Sequence, residues 1–289
     1  MKKYFSVLIA LLLPLVLQAS KRTMNMTDAI KGHFVKMTAV NFKGGFTGTS
    51  VRLSVANLKK DSLDLTVDLG IILKPEDSSY QPMVLAGEEN LVLEPNQKGS
   101  VDVEVFCGNS PLHCPKKDLR YTYWKKGSNE LISVLTYIHN HRLYDYLGQS
   151  AVWTITNMHN AGAVYDQSRD SLSKKLIDTI CAVTHRAKPD YYTITAQNEV
   201  PGQTAYTAKT MKIVAQFDVL LKGSAILTLG VFDEREHMIE AIFERKRFEK
   251  GMHQVEANFN AEAYGAGKFK IRLMDSERVL QEKKVVAEE

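Results

Sequence analysis

The chain has 289 residues, 44% of them hydrophobic and 24% charged, a globular composition with room for one large or two modest domains, so disorder is not its default state. Its 37 basic residues stand against 33 acidic ones in mixed company, as in ERKRFEK (Glu244 to Lys250), which excludes the concentrated basic footprint of a nucleic-acid binder.

Residues 1–20, MKKYFSVLIALLLPLVLQAS, begin with Lys2 and Lys3, continue as an apolar run from Tyr4 to Leu17, and end in the small residues Ala19 and Ser20. That is the layout of a secretory signal peptide. The run is short for a membrane span, no later stretch is long and apolar enough for one, and no Cys follows that could carry a lipid. The expectation is an exported chain, periplasmic, cell-surface or extracellular, with no transmembrane segment after cleavage. Loss of Lys2 and Lys3 leaves 35 basic against 33 acidic residues.

From His33 the hydrophobic period is two. Val51, Leu53 and Val55 alternate with Arg52 and Ser54; Leu63, Leu65, Val67 and Leu69 with Asp64, Thr66 and Asp68; Val101, Val103 and Val105 with Asp102 and Glu104. Alternation of this kind buries one face of a strand and wets the other, and KGGFTG, NLKKDS, KPEDSS and EPNQKG supply turns between the strands, so a β-sandwich or a barrel is the natural outcome. Cys107 and Cys114 flank the loop GNSPLH; in an exported chain a local disulfide between them is the expected state. Cys181 falls on the apolar side of a later helix and reads as a buried thiol.

After Cys114 the period lengthens. Leu131, Val134, Leu135 and Ile138 fall at i, i+3, i+4 and i+7, and Leu147, Ala151, Ile155 and Met158 repeat that face. A third helix starts near Asp170 or Ser171, carries Leu172, Leu176, Ile177 and Ile180, and stops before Pro189. From Tyr191 the alternation returns to the end of the chain, with a boundary near Arg186 to Tyr191. The predicted fold is mainly β with an α-helical insertion. Residues 21–188 form a β-sandwich-like domain capped by two or three helices within 129–187, and 189–289 form a second β-sandwich.

Two segments resemble known families. Phe232–Asp233, KGMHQVEANF from Lys250, GKFKIRL from Gly267 and the closing QEKKVV resemble the Ig-like sandwich that ends many proteins of the Bacteroidetes type IX secretion route. DEREHM departs from that pattern where the family has an early Gly. The resemblance implies an Ig-like C-terminal domain that sorts, anchors or assembles the protein, with the secretion machinery as a partner. Separately, Phe106 to Thr156 resembles the thioester domains of bacterial surface adhesins, which pair an aromatic-Cys after a strand with a Gln at a helix start. Cys107 in FCG and Gln149 in GQSAVW occupy those places, with Gly148 where the family prefers Thr. The resemblance implies attack of the Cys107 thiolate on the Gln149 carboxamide, loss of ammonia, and an acyl group open to a host amine. The alternative reading makes Gln149, Ala151 and Trp153 simply a well-packed helix.

Other motifs point to structure. His139 and His141, two apart on a helix, project about 200° from each other and do not chelate one ion. DQSRDS, Asp166 to Ser171, approaches a metal-dependent adhesion motif, but helix capping explains it more simply. No GxSxG, HExxH, Walker or GxGxxG pattern is present, so no catalytic residue, metal or cofactor is assigned. The expected function is an exported binding or assembly protein with a protein or surface glycan as partner. A thioester adhesin and a secreted hydrolase whose site forms only in the fold are the alternatives.

Overall fold

The structure, a computed structural model, describes residues 21–45, 48–196, 200, 203–204 and 206–289; the expected signal peptide lies outside them. The first body is a barrel. Its walls are β2 (Val35–Asn41), β3 (Thr49–Asn57), β5 (Ile71–Pro75), β6 (Met83–Leu85), β8 (Lys98–Cys107) and β9 (Arg120–Lys126), in the closed order β2-β3-β8-β6-β5-β9. The expected sandwich-like first domain is thus corrected. β9 pairs antiparallel with both β2 and β5, so the sheet closes on itself and leaves no edges to pack as two layers.

Beside it, β1 (Lys21–Asn25), β4 (Ser62–Val67) and β7 (Glu89–Leu93) form a three-stranded sheet in which β1 runs parallel to β4. The periodicity did not announce β1 or the short helix α1 (Met26–Lys31), which Asn25 caps through its side chain. Asp68 is not a freely solvated strand carboxylate: it accepts from Thr27 N (3.1 Å) and Thr27 Oγ1 (2.8 Å) and pairs with Lys126, tying α1 to the barrel.

Three helices cover one wall: α2 (Asn129–His141), α3 (Tyr146–Thr156) and α4 (Asp170–Thr184). Leu131, Val134, Leu135 and Ile138 of α2 meet Leu176, Ile177 and Ile180 of α4 in one core, as their stripes predict, with Leu147 and Ala151 of α3; Met158, expected on the α3 face, lies beyond the helix end and is 71% exposed. β8 divides two cores because successive side chains of a strand point to opposite faces. Phe106 enters the helical core, and Cys107 enters the barrel core together with Cys114 and Trp153.

The rest of the chain is strand: β10 (Tyr192–Thr195), β11 (Thr210–Leu221), β12 (Ala225–Phe232), β13 (Met238–Phe248), β14 (Gly251–Phe259), β15 (Gly267–Asp275) and β16 (Arg278–Ala287). Sheets β10-β11-β14 and β13-β12-β15-β16 share a third core built on Phe217, Leu229, Phe259 and Ile271. ERKRFEK runs through the exposed end of β13. The two bodies touch where Val214, Tyr192 and Ile194 pack on the helical core and Tyr192 stacks on Tyr165, ring centroids 4.5 Å apart.

Candidate functional site

The two residues singled out by the adhesin resemblance, 42 positions apart, are brought into contact at the end of β8. There β3 has already diverged, since its pairing with β8 ends at Thr49 opposite Glu104. The last residue of β8 finds its partner in a side chain instead: Cys107 N donates to Gln149 Oε1 (2.8 Å), and Gln149 Nε2 donates to Cys107 O (2.9 Å). The carboxamide thereby imitates the backbone of a missing strand, and both residues are fully buried.

Close approach of α3 makes this reach possible, and Gly148 allows the approach. A Cβ at that position would lie 2.1 Å from the carbonyl oxygen of Leu143 and 2.7 Å from the ring of Phe106. No side chain fits there without moving the helix. The departure of Gly148 from the adhesin pattern therefore has a steric cause.

The thiol of Cys107 looks the other way, into the barrel core. Burial, reinforced by nearby Cys114, pushes it well above an ordinary thiol and so disfavours the thiolate. The expected Cys107–Cys114 disulfide is corrected, because no bridge joins the two in the structure. The loop between them is held by other means. Gln81, fully buried, accepts from Asn109 N (3.1 Å) and donates to Leu112 O (3.1 Å), and Cys114 N donates to Gln203 O (2.7 Å). Asn157, just after α3, accepts from Ser110 N (3.1 Å) and donates to Asn109 Oδ1 (3.1 Å). With these amides in place, the turn needs no cross-link to hold its shape.

Sequence reasoning missed one pair. Ser110 Oγ lies 2.9 Å from His159 Nε2, and the His159 ring sits against Tyr206, centroids 4.1 Å apart, with Trp153 beyond. Burial lowers the pKa of His159, which favours the neutral imidazole. A hydroxyl beside a neutral imidazole is the elementary nucleophile–base unit. Here Ser110 is only 1% exposed and its N–H is occupied by Asn157, so neither access nor an oxyanion donor is provided at that residue. No linear signal marks the pair, since 49 residues separate its members.

Open to solvent on the far side of the same loop is a groove of about 370 Å³. Asn109, Lys125, Ser128 and Thr156 line it with Trp124, which is 50% exposed, and the Lys125 ammonium lies 4.5 Å from the Trp124 ring centroid. Two of the remaining motifs resolve into internal contacts. His139 bonds Tyr144 OH and His141 stacks on Tyr137, so they do not converge. Asp166 caps a 3-10 turn over Gln167–Arg169 through Ser168 N and Oγ, and pairs with Arg169. α4 itself starts at Asp170 with no side-chain cap. Cys181 is buried in the helical core, its thiol toward Ala187 O at 3.6 Å. Among the described residues no three His, Cys, Asp or Glu side chains are placed to hold a metal, and no helix is long and apolar enough to cross a membrane.

No protein-family profile matches the chain, and no curated protein does. Among solved structures, a β-glucosidase from Kluyveromyces marxianus aligns over 83% of this chain at 10% identity with a TM-score of 0.21; the chain spans 44% of that enzyme's length. A likeness of that size carries neither fold nor function.

Proposed function

We propose that this chain is a non-catalytic, exported surface protein. The barrel body binds an external partner in the groove beside Trp124, and the C-terminal unit is an Ig-like sandwich that sorts, anchors or assembles the protein. The half-exposed Trp124 carries the reading. A half-exposed aromatic ring at the edge of a polar concavity, with the Lys125 ammonium over one face, has its other face to offer to a sugar or an extended peptide. Lys125, Asn109 and Ser128 supply polar contacts around it. The strand order β10-β11-β14 against β13-β12-β15-β16, in which β14 returns beside β11 after the β12–β13 hairpin, supports the Ig-like assignment. The test is binding of the labelled mature protein to bacterial cells, host cells and a glycan panel, alongside Trp124→Ala. Loss of binding in the variant is expected; undiminished binding refutes the groove as the site. Fractionation of a chain lacking residues 224–289 tests the C-terminal role, which unchanged location would overturn.

One observation favours a second reading. The Gln149 carboxamide bonds the Cys107 backbone in a dry pocket, which puts the two residue types of an internal thioester side by side, although the thiol itself faces the barrel core. Thioester formation would sacrifice the bond from Nε2 to Cys107 O and would need a thiolate that burial disfavours. Intact mass decides, because a thioester leaves the mature chain one ammonia light.

A further inference from the structure

The outer wall of the barrel carries a feature that the Trp124 groove does not involve. The strand registers place Ser100 opposite Ser54, Ser54 opposite Thr38, Thr38 opposite Thr122, and Thr122 opposite Lys74. All five face outward and are exposed. They form one row of hydroxyls across four strands ending at an ammonium, about 19 Å long at the usual inter-strand spacing of ~4.8 Å. The row lies along two adjoining open grooves of about 480 and 560 Å³ that share Thr38 and Ser54.

The flanks of the row are cationic. On one side Lys98 of β8 and Lys36 of β2 flank Ala56 from the two strands that pair with β3. On the other side, Arg120 lies opposite Val40, with Glu76 nearby. Asp102 is already engaged by Arg52 through two hydrogen bonds of 2.6 and 2.8 Å. Lys36, Lys74, Lys98 and Arg120 make no ion pair among the described residues. Four cations outside any ion pair thus flank a shallow track of small hydroxyl side chains, with Glu76, whose N–H bonds Arg120 O (2.9 Å), as the opposing charge beside Arg120. Alternating charge would serve solubility alone; a predominantly cationic rim along open, hydroxyl-lined grooves fits a ligand of opposite sign.

We propose that this barrel face binds a linear anionic glycan. Its sugar hydroxyls lie along Ser100, Ser54, Thr38 and Thr122, and its carboxylates or sulfates meet Lys36, Lys98, Arg120 and Lys74. The site stands whether or not the Trp124 groove binds anything. Affinity electrophoresis of the full mature chain tests it in gels containing polygalacturonate, a sulfated galactan or neutral dextran. Retardation by at least one of the two polyanions is expected, and which one separates carboxylate from sulfate recognition. Dextran is not expected to retard the chain, and raised salt should weaken the effect. The triple variant Lys36→Gln/Lys98→Gln/Arg120→Gln should lose about tenfold in affinity or more, the scale of several lost charge-assisted contacts. Thr38→Val with Thr122→Val should weaken binding with the charge unchanged, whereas Lys222→Gln/Lys250→Gln should leave it intact. Failure of both polyanions to retard the chain overturns the proposal. So does wild-type affinity in the triple variant, or equal retardation by duplex DNA, which would mark generic polyanion attraction.

Discussion

Replacing Gln149 with Leu isolates what the carboxamide does. Leu has similar bulk and suits the helix, but it offers nothing to Cys107 N or Cys107 O, each of which bonds Gln149 in a pocket sealed from water. A buried backbone group left without a partner costs about 1–3 kcal/mol, so two cost roughly 2–6 kcal/mol, against a modest gain from the more apolar side chain. The readout is favourable because the two tryptophans, Trp124 and Trp153, both lie in the first body. Trp153 is buried beside the clamp, so denaturant unfolding followed by tryptophan emission reports this body and not the C-terminal sheets. Gln149→Leu should lower the midpoint by an amount equivalent to at least about 2 kcal/mol. Cys107→Ala should cost less, because it removes a small side chain while the clamped backbone stays in place. A Gln149→Leu loss below about 1 kcal/mol, or one smaller than that of Cys107→Ala, would refute the clamp as the reason for Gln149.

Further outcomes follow from the same end of the barrel. Gly148→Ala should destabilise the first body by about 1–3 kcal/mol or more, since its methyl meets a backbone oxygen that cannot yield; an unchanged melt would show that α3 has slack. Thiols counted in denaturant without reductant should number three; one would mean a disulfide, and two with an ammonia deficit a thioester. His159, its pKa lowered by burial, binds a proton more readily unfolded than folded. Its contribution to stability is therefore present above its unfolded value of about 6.5 and is lost as pH falls below it. His159→Gln should flatten the acid limb of the stability profile, and an identical acid limb in the variant would remove His159 as its cause.

The strands and helices were legible because periods of two and of about three and a half leave a direct trace in residue order. Val51, Leu53 and Val55 became a barrel wall, and Leu131, Val134, Leu135 and Ile138 the buried face of α2. Closure of the barrel was not legible, because the same alternation serves a sandwich and a barrel alike. What decides between them is that β9 pairs on both its edges, a fact of register and not of hydrophobicity. β1 escaped notice because KRTMN is short and mostly exposed, its place fixed by β4 beside it.

The site divides along the same line. Cys107 and Gln149 could be paired in advance through a resemblance that implies a thiol–carboxamide contact; the contact observed joins Gln149 to the Cys107 backbone instead. Ser110 and His159 could not be paired in advance, since each looks ordinary in its own neighbourhood and acquires a partner only when the loop after β8 folds against the end of α3. Gly148 shows how a local choice reaches the site. Removing one Cβ lets α3 come close enough for the next residue to complete a strand that β3 abandons. The contact of Gln149 with Cys107 is therefore a consequence of barrel architecture before it is a clue to chemistry. A reactive bond at this place would have to outweigh the two hydrogen bonds that already account for the side chain.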